Sequence, residues 1–283
     1  MPYTTELKLL SLDDNPLPVT LSYNSYALFL NILRNSSPKF AAELHEMDGP
    51  KPFTTATIFS GYHRKTGSIS GTPGRLSLRL TFLSDEVFAQ FLKSALEWSD
   101  RQLQLGSAHF KVEQVHLVDV NKPQKKFCSY EELLTTAVAE HSISLQFLSP
   151  AVFRSEGKRN VLFPEPQLVF GSLLNRWNAF SPIKLSADLL QCFNSQILLA
   201  RYKLETGMLN FGNYQEAGFT GQCSFILGDK LLEQQMKAIN ALAEFAFYSG
   251  VGAKTTMGMG QTRRIKSGGT LSNRTRSYLK EER

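Results

Sequence analysis

Arg75-Leu76-Ser77-Leu78-Arg79-Leu80-Thr81-Phe82, with Ser84-Asp85 close behind it, is the stretch on which the fold turns. Its apolar residues alternate with polar ones, the period of a half-buried strand. Ser84-Asp85 then offers a cap for a helix running through Trp98. The same pair of elements returns near the other end of the chain. Phe219, Cys223, Phe225 and Leu227 stand between Thr220, Gln222 and Ser224, and Gly228-Asp229 opens a helix striped by Leu232, Met236, Ile239, Ala243 and Phe247.

Outward from these two anchors, each half reads strand, helix, strand, strand, helix, strand. In the first half Thr4–Ser11 is a strand, and Tyr26, Phe29, Leu30 and Leu33 form an apolar helical stripe. Ser37 and Pro38 restart the helix as cap and first residue, and this short second helix ends near His45. Asp48-Gly49-Pro50 turns the chain into a strand at Phe53–Phe59, and His109–Val118 closes the unit. In the second half Ile143, Leu145 and Phe147 mark a strand, and a helix follows Pro164-Glu165-Pro166 through Trp177. Ile197–Leu204 is the next strand, and the last runs from about Gly260 to Lys266. Two βαββαβ units in succession predict an α+β chain of two tandem ferredoxin-like domains. Their expected bounds are 1–120 and 127–267, with a polar link over 121–126 and a basic tail over 268–283.

Bulk composition narrows the setting. A chain of 283 residues suits two domains of about 120–140 residues each. No apolar run of ~18 residues is present and no basic-then-apolar leader, which predicts a soluble, cytoplasmic protein without a membrane partner. Cys128, Cys192 and Cys223 are few and scattered, so they read as core thiols and not as a disulfide or zinc framework. The net charge of +6 is concentrated. Lys254, Arg263, Arg264, Lys266, Arg274, Arg276, Lys280 and Arg283 face only Glu281 and Glu282, so this final stretch carries the whole excess. A one-sided positive field suits a polyanion.

That stretch begins in Gly250-Val251-Gly252-Ala253-Lys254-Thr255-Thr256-Met257-Gly258-Met259-Gly260. Glycines let the backbone turn to positive φ and bring amides close to a ligand, and Lys254 adds a charge, so the loop reads as an open phosphate cradle. It is not a Walker A loop, because Ala253 separates Gly252 from Lys254 and the loop leads from helix to strand. Nor is it a dinucleotide fingerprint, since Thr255 stands where the third glycine belongs.

Set before the last strand of a doubled ferredoxin-like chain, this loop resembles the signature of the RAMP superfamily. More narrowly, the chain is similar to the CRISPR repeat-processing endoribonucleases (the "Cas six" family). Asn35-Ser36-Ser37-Pro38-Lys39, Leu44-His45-Glu46 and Gly49-Pro50-Lys51-Pro52-Phe53-Thr54 resemble that family's active-site helix and following strand. Phe153-Arg154, Gly157, Pro164-Glu165-Pro166, Val169-Phe170-Gly171-Ser172-Leu173 and Arg176-Trp177-Asn178 resemble its second-domain pattern.

The resemblance implies cleavage of CRISPR precursor RNA within each repeat, with no metal or cofactor. The 2′-OH attacks the neighbouring phosphate, giving 2′,3′-cyclic phosphate and 5′-OH ends. His45 would supply the proton, since histidine ordinarily titrates near neutral pH. Lys51 would stabilise the developing charge. Some family members carry a tyrosine on the first helix; alignment on Asn31 and His45 puts Leu30 there, with Tyr26 one turn earlier among apolar neighbours. The base for the 2′-OH stays unassigned. RNA contacts are expected from Gly250, Gly252, Lys254, Gly258 and Gly260, from Arg263 and Arg264, and from the loop bearing Arg154, Lys158 and Arg159. Arg75 and Arg79 would line a groove between the halves.

Two other readings remain at this stage. A non-cleaving RNA-binding RAMP subunit of a CRISPR effector complex would share the fold and the loop. A two-histidine phosphoesterase needs paired His-x-[Thr/Ser] motifs, and none of the five histidines begins one. Effector subunits are further partners the resemblance allows, and edge strands could pair two copies into a homodimer.

Overall fold

The repeated alternation builds two antiparallel sheets with the same internal order. The computed structural model describes residues 1–13, 22–59, 62–63, 68–69, 75–96, 102–105, 108–117, 128–154 and 159–265. The expected link over 121–126 and the tail over 268–283 lie outside the described residues.

The first half runs β1 (Tyr3–Ser11), α1 (Ser22–Ser36), α2 (Pro38–Glu46), β2 (Phe53–Phe59), the short β3 (Tyr62–His63) and β4 (Ser68–Ile69), then β5 (Arg75–Phe82), α3 (Asp85–Leu96), β6 (Gln102–Leu105) and β7 (Ala108–Leu117). The second half runs α4 (Tyr130–Thr135), β8 (Ser142–Ala151), β9 (Phe153–Arg154), β10 (Asn160–Val161), α5 (Pro166–Phe180), α6 (Leu189–Ser195), β11 (Ile197–Asn210), β12 (Gln215–Leu227), α7 (Glu233–Ser249), a 3₁₀ turn (Thr255–Met257) and β13 (Thr262–Ile265). The main sheets are ordered β2-β5-β1-β7-β6 and β11-β12-β8-β13. In each, the first and third strands of the unit lie side by side at the centre, which is the ferredoxin-like arrangement. The α+β expectation is met. The additions β6, α4 and α6 carried too few periodic residues to be read in the sequence.

Each sheet buries one face under its own helices. Leu7, Leu76, Leu78, Leu80 and Phe82 meet Phe29, Leu33 and Phe91 in the first half. Ile143, Leu145, Phe147 and Phe225 meet Phe170, Trp177, Leu242 and Phe245 in the second. Trp177 is wholly buried, and truncating such a side chain costs about 3–5 kcal/mol. Cys128 and Cys223 are buried, and none of the three cysteines is in a disulfide. Among the described residues no helix is long and apolar enough to cross a membrane.

The two halves meet through polar bonds on the other face of the first sheet. Thr81 Oγ1 donates to the Tyr248 carbonyl, and Tyr130 Oη donates to the Leu83 carbonyl. Arg79 is here, which corrects its expected place in an open groove. Its guanidinium is buried over the Phe247 ring at 5.0 Å and donates to Gln261. Burial pushes that guanidinium down to about 10. Arg75, four positions earlier, is exposed and pairs with Glu113 at 3.0 Å.

Candidate functional site

His45 sits in the last turn of α2, exposed to solvent. Pro38 opens that helix as expected, although Ser37 makes no side-chain capping bond. The His45 ring is not isolated. Its Nδ1 lies 3.0 Å from the hydroxyl of Tyr26, whose own ring is buried on α1 and stacks near Phe53 at 5.9 Å. Tyr26 is therefore both a core residue and a partner of His45. The pairing has a definite consequence for proton placement. When Tyr26 donates to Nδ1, the proton of the neutral ring is on Nε2; when the ring is protonated, Nε2 carries one as well. In both of these states Nε2 holds a hydrogen, whereas the tautomer that donates from Nδ1 to Tyr26 leaves it bare.

Lys51 lies against the C-terminus of the same helix. Its ammonium donates to the carbonyls of Leu44, His45 and Met47 at 2.8, 2.8 and 2.9 Å. All three protons are thus spent on the carbonyls that α2 leaves unpaired at its C-terminus, where a cation is also favoured by the helix dipole. Burial lowers its pKa from the usual lysine range, opposed by Asp48. In this arrangement Lys51 holds the backbone turn that carries His45. Lys51→Met is accordingly expected to lose about 1–2 kcal/mol of stability. Its cleavage should slow by about tenfold through a misplaced imidazole, with Lys51→Arg restoring much of both. Thermal melting beside single-turnover rates checks this, and an unchanged Tm with a collapsed rate would return Lys51 to direct charge stabilisation.

The glycine-rich segment is well built but not an open cradle. The amides of Val251, Ala253 and Gly260 donate to the carbonyls of Gly260, Val152 and Pro150 at 2.8 Å each, and that of Gln261 donates to Ser149 Oγ at 2.9 Å. Gly250, Gly252, Gly258 and Gly260 all take positive φ. A Cβ on Gly252 would overlap the Val152 carbonyl oxygen, and one on Gly260 the Val251 carbonyl oxygen. These glycines let the loop fold tightly on itself and on the end of β8. From α5, half-buried Arg176 donates to the Gly250 and Gly252 carbonyls at 3.2 and 2.7 Å, its pKa pushed down to about 10 by desolvation.

Lys254 is likewise committed. Its ammonium bonds Glu216, lies 3.2 Å from the Tyr214 hydroxyl, and stands over the rings of Phe211 and Tyr214. These contacts anchor the loop onto the β11–β12 hairpin. Arg263 and Arg264 do not form one patch either, because neighbours in a strand point to opposite faces. Arg264 turns to α7, bonding Asn240, Glu244 and Glu140, whereas Arg263 lies half-buried beside Gln146 at 2.9 Å. Arg154 and Arg159 are exposed; Lys158 lies outside the described residues.

A short chain of bonds brings the loop to the histidine helix pair. The Thr256 carbonyl accepts from Thr55 Oγ1 at 2.7 Å, and that oxygen lies 2.8 Å from Ser25 Oγ on α1. Ser25 precedes Tyr26. One end of α1 therefore holds the 3₁₀ turn through one residue and His45 through the next.

Comparison with known proteins bears on the fold and the family. A family model describing the CRISPR-associated endoribonuclease Cas6 matches residues 145–262. Over 132 residues the chain is 29% identical to the CRISPR-associated endoribonuclease Cas6 of Streptococcus thermophilus, 46% of this chain and 53% of that one. Over 120 residues it is 30% identical to the Mycobacterium tuberculosis protein of the same name, 42% of this chain and 37% of that one. The matches thus span about half or less of these curated relatives. A Thermus thermophilus Cas6, solved as a product complex, aligns with TM-score 0.81 and 31% identity over 94% of this chain and 99% of its own. The chain belongs to the Cas6 family.

Membership gives the paired ferredoxin-like sheets and the glycine-rich loop a common setting. Within a Cas6 frame the residues that sequence reasoning missed are Arg176 and Glu216, which hold the loop from either side. Arg176 was quoted only as part of a helix pattern. Glu216 lies in a polar strand segment with no motif around it.

Proposed function

We propose that this protein is an endoribonuclease that cleaves CRISPR precursor RNA within its repeats, without a metal. The reaction forms the P–O2′ bond as P–O5′ breaks. The departing 5′-oxygen takes the Nε2 proton of His45, and the 2′-hydroxyl proton passes to solvent water. The products are a 2′,3′-cyclic phosphate and a 5′-OH.

The observation that carries this reading is the His45–Tyr26 pair on a helix braced by Lys51. It presents an exposed imidazole whose Nε2 carries the proton whenever Tyr26 donates to Nδ1, which is what general-acid catalysis requires. The similar Thermus protein was solved with its product, and the curated relatives are named as endoribonucleases, which favours cleavage over a non-cleaving scaffold. RNA phosphates would lie against the glycine loop (Gly250, Gly252, Gly258, Gly260), against Arg154, Lys158 and Arg159, and near Arg263. The work is done in the cytoplasm, where the transcript is made. Subunits of an effector complex are the partners that would receive the product, and the free edge of β11 is where a second copy would pair.

Incubation with repeat RNA in EDTA, followed by mapping of both ends, tests the proposal. Undiminished cleavage with cyclic phosphate and 5′-OH ends is expected. Intact RNA across folded preparations would leave only a binding role, and activity restored by a divalent cation would replace the mechanism.

A further inference from the structure

The geometry points to Glu216 as a positioning residue for RNA binding, a carboxylate that holds the glycine loop, the β11–β12 hairpin and the β9–β10 hairpin as one surface. The inference rests on the proposed RNA-binding role of these segments.

β12 pairs with β8 only between Phe219 and Ile226, so the remainder of the β11–β12 hairpin projects past the sheet towards the glycine loop. Phe211 at its tip closes a small apolar cluster with Val152 and Met259. Glu216 lies in this projecting part and is 7% exposed. Two groups from other segments reach it. Lys254 bonds it from the loop, and Asn160 Nδ2 donates to it at 2.6 Å from β10. Burial pushes the carboxyl up, but the bonds from Lys254 and Asn160 and the charges of Lys254 and Arg154 outweigh this and hold it below the usual carboxylate range.

Lys254 itself shows that the tie shapes the backbone. At φ 55 and ψ 32 it is the one non-glycine residue at positive φ among the described residues. That conformation is unfavourable for a residue with a Cβ and persists where surroundings impose it. Here its carbonyl accepts from the Met257 and Met259 amides while its side chain is anchored to a buried acid. Removing Glu216 would release Lys254, relax the loop and uncouple it from Asn160 and its exposed neighbours Arg159 and Arg154.

Electrostatics alone predicts the reverse, and this makes the inference testable. Deleting a negative charge from a surface that meets a polyanion should tighten binding. The experiment measures Kd for a 2′-deoxy repeat RNA at one salt concentration, with Tm recorded for each protein. Glu216→Gln keeps the side-chain volume and is expected to weaken binding roughly tenfold with little change in Tm. Asn160→Ala, on an exposed short strand, should weaken it about twofold to fivefold. The double variant should bind no worse than Glu216→Gln alone, because both changes cut the same tie.

Binding by Glu216→Gln as tight as wild type or tighter overturns the proposal. So does a fall in Tm with the affinity of the folded fraction unchanged. Should Glu216→Gln fail to fold, Asn160→Ala decides alone, and an unchanged Kd there overturns it. Wild-type protein that binds no repeat RNA overturns both this proposal and the functional reading beneath it.

Discussion

Replacing His45 with alanine is expected to slow single-turnover cleavage of repeat RNA by roughly 10²–10⁴-fold, the usual contribution of one positioned acid. RNA affinity should stay within about twofold of wild type, because a side chain that acts in proton transfer adds little to ground-state binding. His45 is exposed at the end of α2, where its ring bonds Tyr26, so its loss removes no side chain from the core. The fold should survive. Filter binding with uncleavable RNA, beside quenched time courses, separates the two quantities. A drop in affinity as large as the drop in rate would make His45 a recognition residue and sink its assignment as the acid.

The second large effect lies in the substrate. A single 2′-deoxy substitution immediately upstream of the cut should abolish the reaction at that position, since the attacking oxygen is then missing. Binding should hold, because one hydroxyl among many phosphate contacts changes little of the electrostatic affinity. Denaturing gels of end-labelled RNA give the result directly. Continued cleavage of the deoxy substrate would mean that water attacks instead, and the paired His45 and Tyr26 would then need a different task. The two experiments are independent: one removes the proton donor, the other the nucleophile.

The regular elements that make the fold were legible because their signals are local. Arg75–Phe82 alternates every second residue, and the stripe of Tyr26, Phe29, Leu30 and Leu33 repeats at the helical period. Such patterns need only near neighbours, and their order was enough to imply the paired sheets observed. The short elements failed the same test. β6 offers only four residues and α4 six, too few for a period to stand out. The glycine loop was found, but its use was misread in part. Its glycines answer to close backbone packing, and most of the amides expected to face a ligand already serve the fold.

Sequence alone determined the α+β class and the doubled unit, through local periodicity, and the family resemblance, through short runs of residue types; His45 was singled out by that resemblance. Tertiary structure alone decided what the charged groups do. Whether Tyr26 reaches a histidine 19 residues away, or Lys254 an acid 38 residues away, depends on which faces and loops the packed halves bring together. Lys51, Lys254 and Arg264 are all cations in the sequence; in the folded chain they cap a helix, anchor a loop and tie a strand to α7. A charge acquires its role from its acceptors, and those are set by distance in space.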